Sequence, residues 1–207
     1  LLERERSEIR DLAVGEGTAR AFVEVLEPPL RVLICGAGHD AAPLVRAAAG
    51  LGWSPVVADD RGEFLNRERF PEASEFVALE RPEDVAKAAP IDRATFVVVM
   101  THNFLRDKDY ARSLIDTPAR YVAMLGPNAR TERLLTELRE EGVEIPQHFL
   151  ERVHGPAGLD LGAEGPEEIA AAIVSEIIAV KRGRGGGFLK HRPGPIHERQ
   201  PSARRQA

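Results

Sequence analysis

Gly36-Ala37-Gly38-His39-Asp40-Ala41 forms a G-x-G-x-x-A turn directly after the apolar run 31–35, ahead of a helical pattern that continues through Leu44, Val45 and Ala48. In that context the spacing is the dinucleotide fingerprint. Gly36 permits the tight turn, Gly38 lets backbone approach a pyrophosphate, and Ala41 allows the helix to pack close on the strand. Ala37, His39 and Asp40 complete a loop whose free N–H groups, at a helix N-terminus, suit an anion. Asp59 comes 23 positions after Gly36, at the end of a second apolar run, where a carboxylate accepts hydrogen bonds from ribose hydroxyls. Arg61 lies two residues on, and a guanidinium there would neutralise a 2′-phosphate, so NAD and NADP both stay open. A packing turn followed by a helix-capping acid would carry the same residues.

A second constellation follows the apolar run 95–100: Thr101-His102-Asn103, with Asp107 beyond. These residues emerge where open α/β sheets bind ligands, opposite the first loop with His39. Asp107 is placed to turn back on His102 as a hydrogen-bond partner. A helix cap by Asn or Thr is the plainer account of the same residues. Gly126, after the run 120–125, would let backbone approach a ligand at that edge or serve an ordinary turn. Cys35 ends a buried strand and reads as a small core residue, and no spacing of His and carboxylate specifies a metal.

The elements that must position these residues are those of an α/β fold: a Rossmann-like, doubly wound parallel sheet with helices on both faces. Strands are expected at 31–35, 55–58, 75–79, 95–100 and 120–125, and helices at 40–51, 82–89, 105–115, 128–141 and 166–180. The last helix opens on Pro166 with Glu167 and Glu168 in its first turn and is apolar nearly all round, which suits a core position. Residues 152–163, rich in Gly, read as a loop. Residues 1–29 read as an N-terminal segment and linker, helical through Leu12 and extended over 20–26, the remnant of a preceding domain. Residues 30–181 form the Rossmann-like domain, and 182–207 a disordered basic tail rich in Gly, Pro and Arg. Without a starting methionine, the chain reads as a fragment or trimmed product.

Composition excludes several classes. Of 207 residues, 43% are hydrophobic and 29% charged, as in an ordinary globular chain, and no apolar run approaches membrane-spanning length. One cysteine removes disulfide scaffolds and thiolate zinc sites and fits a cytoplasmic, reducing location. The net charge of −5 is uneven: residues 181–207 carry eight basic residues against one acid, leaving the first 180 at −12, a poor partner for nucleic acid.

The segments GAGHDAAPLVRAAAGLGW (36–53), ADDR (58–61), FPEA (70–73), VVVMTHNFLRD (97–107), YVAMLG (121–126) and RVHGPAGLDLGAEGPEEIAAAIVSEIIA (152–179) resemble the C-terminal Rossmann-like domain of the XdhC/CoxI family, accessory proteins of xanthine dehydrogenase and carbon monoxide dehydrogenase. The resemblance implies a non-catalytic maturation factor that binds molybdenum cofactor, supports its sulfuration and delivers it to a molybdenum hydroxylase apoenzyme. A cysteine desulfurase and a second copy of the chain are further partners it allows. Gly36, Gly38, His39, Asp59 and Arg61 match the family's nucleotide-side motif, Thr101, His102 and Asp107 its second block, and Leu159, Asp160 and Gly162 its third. Two departures stand out. The family's N-terminal domain, with its cysteine-bearing loop, is not in this sequence, and Pro127 replaces a residue with an N–H in the segment Leu125-Gly126-Pro127-Asn128-Ala129-Arg130. Two other functions share the fold: an NAD(P)-dependent oxidoreductase, against which the absence of a Tyr-x-x-x-Lys pair counts, and a nucleotide-sensing regulatory domain.

Overall fold

The computed structural model describes residues 7–15, 17–26 and 28–196. Six parallel strands form the central sheet: β3 (Arg31–Cys35), β4 (Ser54–Asp59), β5 (Glu75–Ala78), β6 (Thr95–Val99), β7 (Tyr121–Met124) and β8 (Val153–His154). Their order is β5-β4-β3-β6-β7-β8. The chain runs outward from β3 to β5, then crosses back to lay β6 on the other side of β3. The carboxyl ends of β3 and β6 therefore flank the switch point at which such sheets bind ligands. All residues of β6 and β7, and 32–35 of β3, are buried, which is why these strands are apolar without alternation.

Two helical layers cover the sheet. α1 (Ala41–Gly50) and α6 (Pro166–Arg182) lie on one face, where Leu44, Val45, Ile173 and Ile177 pack on Val32, Ile34, Phe96 and Val98. On the other face α3 (Phe104–Leu114), α4 (Asn128–Glu140) and the short α5 (Gln147–Leu150) bring Tyr110, Leu114, Leu134, Leu138 and Phe149 against Leu33, Val97, Val99 and Val122. The expected helix at 82–89 divides into a 3-10 turn, Pro82–Asp84, and the single turn α2 (Val85–Ala88). α6 carries acids in its first turn and Lys181 and Arg182 in its last, and Gly183, left-handed at φ 61°, closes it.

Two expectations are corrected. The opening segment is a β-hairpin rather than a helix: β1 (Glu8–Val14) pairs antiparallel with β2 (Gly17–Val23), with Ile9 opposite Phe22 and Arg20 Nε donating to Asp11 at 3.0 Å. The Gly-rich segment contributes a sixth strand, the two-residue β8, which pairs with Val122 and Ala123. Of residues 182–207, expected as a disordered tail, 182–196 are described, with Arg182 ending α6 and Leu189–His191 forming a 3-10 turn, and 197–207 lie outside the described residues. Among the described residues no helix is long and apolar enough to cross a membrane.

Candidate functional site

The glycine turn after β3 is built by close approach. Gly36 has φ 115°, and a Cβ there would lie 3.0 Å from the backbone of Met100 and Thr101, so only glycine lets the end of β3 pass the end of β6. At Gly38 the nearest atom to such a Cβ is His102 Cδ2 at 4.0 Å, and the space above the backbone is open. The N–H groups of Gly38, His39 and Asp40 meet no acceptor among the described residues. They stand at the N-terminus of α1, where backbone donors and dipole favour an anion.

Asp59 supports this turn from beneath. Its side chain is 1% exposed; Oδ2 accepts from Ala37 N–H at 2.6 Å and from Arg61 Nη2 at 2.8 Å, and Oδ1 accepts from Arg61 N–H at 2.8 Å and Nε at 2.9 Å. Burial pushes this carboxyl up, but the hydrogen bonds from Arg61 and the two backbone N–H groups outweigh it and hold the group below the usual aspartate range. With two bonds on each oxygen, Asp59 has no face left for ribose hydroxyls. The expected ribose acceptor is a buried organiser of the loop.

At the end of β6, Thr101 and Asp107 form a second buried support. Thr101 donates to Asp107 Oδ1 from its N–H at 3.2 Å and its hydroxyl at 2.6 Å, and Arg130 Nη2 donates to Asp107 Oδ2 at 2.6 Å. Asp107, 2% exposed, thus faces Arg130 rather than His102 as expected. The carboxylate that meets His102 is Asp40, whose Oδ2 lies 2.9 Å from Nε2. His102 itself has φ 59° and is the non-glycine residue with positive φ among those described. Asn103 caps α3 by accepting from the N–H groups of Leu105 and Arg106. The first loop reaches His102 through Asp40, whereas His39 faces away into a separate depression with Arg69 and Phe70.

Gly126 has a structural duty beyond ligand access. Its φ is 116°, and a Cβ would lie 2.9 Å from Arg130 Cδ, so glycine makes room for the Arg130 stem. The remaining wall is the segment after β8. Gly158, at φ 104°, sits against Ala172 of α6 and donates its N–H to Glu176 Oε2 at 2.8 Å. Glu176 also accepts from the Tyr121 hydroxyl and pairs with His154 Nδ1 at 2.9 Å. Burial raises the Glu176 carboxyl, yet the hydrogen bonds from His154, Tyr121 and Gly158 bring it below the usual glutamate range. This anchor fixes the loop to the last helix.

These parts enclose a cavity of about 720 Å³ whose walls come from Asp40 and His102, from Leu125 to Pro127 and Arg130, and from residues 156–163. Its size suits a cofactor-sized ligand. Of the residues singled out from the sequence, Asp40, His102 and Gly126 face it, as do Leu159, Asp160 and Gly162. Gly36, Ala37 and Thr101 do not line it: Gly36 packs on the Met100 and Thr101 backbone, and Asp59, with Arg61, supports the turn through Ala37. Arg130 was the omission: a single arginine in an amphipathic helix carries no signal until Asp107 and Gly126 are placed beside it. Cys35 is fully buried, and burial pushes its thiol up, out of reach as a nucleophile. Among the described residues no three His, Cys, Asp or Glu side chains gather as a metal site.

A parallel sheet in this order, with a glycine turn after β3 and a cavity at its carboxyl edge, defines a Rossmann-like domain. The chain belongs to the XdhC Rossmann domain family, whose model matches residues 32–177. It is 34% identical over 165 residues to a probable xanthine dehydrogenase subunit of Bacillus subtilis (strain 168), covering 80% of this chain and 47% of that protein. It is 33% identical over 180 residues to the uncharacterized protein YqeB of Escherichia coli (strain K12), covering 86% of this chain and 32% of that one. A crystal structure titled as a xanthine dehydrogenase from Bacillus halodurans superposes with a TM-score of 0.66 at 35% identity, over 75% of this chain and 45% of that chain. The chain therefore spans less than half the length of these relatives.

Proposed function

We propose that this domain holds the cofactor in a maturation factor for a xanthine dehydrogenase type molybdenum hydroxylase, binding molybdenum cofactor or a dinucleotide through its phosphate and supporting sulfuration and insertion of the cofactor. The observation that carries the reading is the 720 Å³ cavity in which Asp40, at the end of the glycine turn, His102 and Arg130 converge. The donors present fit a phosphate-bearing group. The N–H groups of Gly38, His39 and Asp40 supply anion contacts, Arg130 is oriented by Asp107, and Leu125, Leu159 and Leu161 offer apolar wall to a flat ring system. When bound, the cofactor supplies the redox chemistry of the hydroxylase that receives it; the residues here bind it, orient it and shield it from water.

A non-catalytic role is supported by the two tyrosines. Tyr110 is fully buried with its hydroxyl on Ala58 O at 3.5 Å, and Tyr121 is turned into Glu176; burial first, and neighbouring groups after it, push both phenols up, so neither serves as an acid at the cavity. Within these 207 residues the single cysteine is buried, so this domain offers no thiol to carry sulfur at the cavity, and a cysteine desulfurase as sulfur donor belongs to the same proposal. The partner hydroxylase, the delivery step and a cytoplasmic setting belong to the same proposal.

The reading is tested by purifying the full-length protein, identifying its bound small molecule by mass spectrometry, and reconstituting the apo-hydroxylase with wild type, Arg130→Ala and His102→Ala. The expected outcome is a phosphate-bearing ligand in the wild type and activation reduced by about tenfold or more for Arg130→Ala, since a charge-assisted contact is lost. Steady turnover of NAD(P)H by the protein alone, or full activation by both variants, overturns it.

A further inference from the structure

The phosphate-binding turn stands between the large cavity and a second, smaller depression of about 400 Å³ on the β4 side, lined by Gly38, His39, Ala42, Arg69 and Phe70. What the end of β4 offers to a ligand there differs from the usual arrangement. An acid at this position ordinarily accepts from a ribose diol and repels a ribose 2′-phosphate. In this protein both oxygens of Asp59 are doubly occupied, and the neighbouring Asp60 is paired with Arg106 at 3.1 Å. Neither acid is available to a diol.

Cations take their place. The guanidinium groups of Arg61 and Arg69 both stack on Phe64, standing 4.5 and 4.6 Å from its ring centre. Stacking of this kind holds a planar guanidinium in place while leaving edge donors free. Arg61 faces Asp59, Asp60 and Glu63, so its charge is balanced. Arg69 meets no carboxylate among the described residues, and its one side-chain hydrogen bond is from Nη2 to Ala37 O at 3.0 Å. It is therefore the cation left to answer an anion in this depression, beside the Gly38 and His39 backbone.

We infer that the depression is a subsite for the far half of a dinucleotide straddling the turn, and that it takes a ribose carrying a phosphate monoester, as in NADP, in preference to a free diol, as in NAD. The inference rests on reading the turn as phosphate-binding. Titration calorimetry of the protein with NADP+, NAD+ and inorganic pyrophosphate tests it, using wild type, Arg69→Gln and Arg69→Lys. The wild type is expected to bind NADP+ about tenfold or more tightly than NAD+. Arg69→Gln should erase that preference while NAD+ affinity stays within about twofold, which also certifies the fold, and Arg69→Lys should retain part of it. Equal wild-type affinity for the two dinucleotides, or equal weakening of both by Arg69→Gln, overturns this inference and leaves the phosphate-binding turn standing. Failure of pyrophosphate and both dinucleotides to bind overturns the turn's role and the subsite together.

Discussion

Burial drives the Asp59 carboxyl toward its neutral form, and four hydrogen bonds, two of them from the Arg61 guanidinium, drive it the other way and prevail. Because the folded-state group titrates below the ordinary aspartate range, its contribution to stability is complete at neutral pH and disappears as the solution is acidified through that depressed value. Asp59→Asn keeps the shape but surrenders the charge that holds Arg61 and the Ala37 N–H. Arg61 remains partly solvated, so the loss at pH 7 is expected near the lower end for charged hydrogen bonds, about 1.5 to 2 kcal/mol. Urea unfolding of both proteins at pH 7 and at pH 3 checks this: the gap between them should narrow on acidification, and a constant gap would assign the loss to packing alone. The presence of Asp59 after an apolar strand was legible in the sequence; the use of its lone pairs was not, because the spacing that brings an acid to the end of β4 is the same whether the side chain faces a ligand or the turn beneath it. Asp107 teaches the same lesson. It lies six positions after Thr101, and only the path of α4 shows that Arg130, and not His102, takes its second oxygen.

At the scale of elements, the two glycines of the turn answer to different constraints and should fail differently. Gly36 has a φ that side chains rarely adopt and touches the backbone at the end of β6, so Gly36→Ala strains the register between the two central strands; a loss of about 1 to 3 kcal/mol is expected. Gly38 has open space above it, so Gly38→Val should leave the unfolding midpoint nearly unchanged while weakening phosphate-bearing ligands by obstructing the backbone they approach. Thermal unfolding beside calorimetry on the two variants separates these effects, and a Gly38→Val protein that binds normally would remove the turn from the site. Strands buried on both faces announced themselves as continuous apolar runs, which is why β3, β6 and β7 were readable. β8 was not, since two residues, Val153 and His154, cannot carry a period, and their pairing is set by a distant partner, β7. The hairpin β1–β2 misled for the opposite reason: a dense run of Glu and Arg favours a helix locally, and only cross-strand pairs such as Ile9 with Phe22 make it a hairpin.

For the molecule as a whole, the distribution of buried apolar surface decides what folds together. Both layers of the core are built from residues at and beyond Leu30, and none of the hairpin's side chains belongs to either. β1 and β2 pair with each other and not with the six-stranded sheet, and among the described residues no hydrogen bond or ion pair links residues 7–26 to the rest. Ile9, Val14 and Phe22 are more than half exposed. A two-stranded hairpin with so little covered surface contributes little stability of its own. Removal of residues 1–26 is therefore expected to leave the unfolding temperature within about 2 °C of the parent, less than a change of 1 kcal/mol produces in a domain of this size. Ligand affinity should also be unchanged, because both depressions draw their walls from residue 38 onward. Differential scanning calorimetry and ligand titration on the shortened chain check both statements. A fall of several degrees would mean that the hairpin's apolar side chains are covered in solution by a surface this structure leaves bare, and that the cooperative unit begins before Leu30.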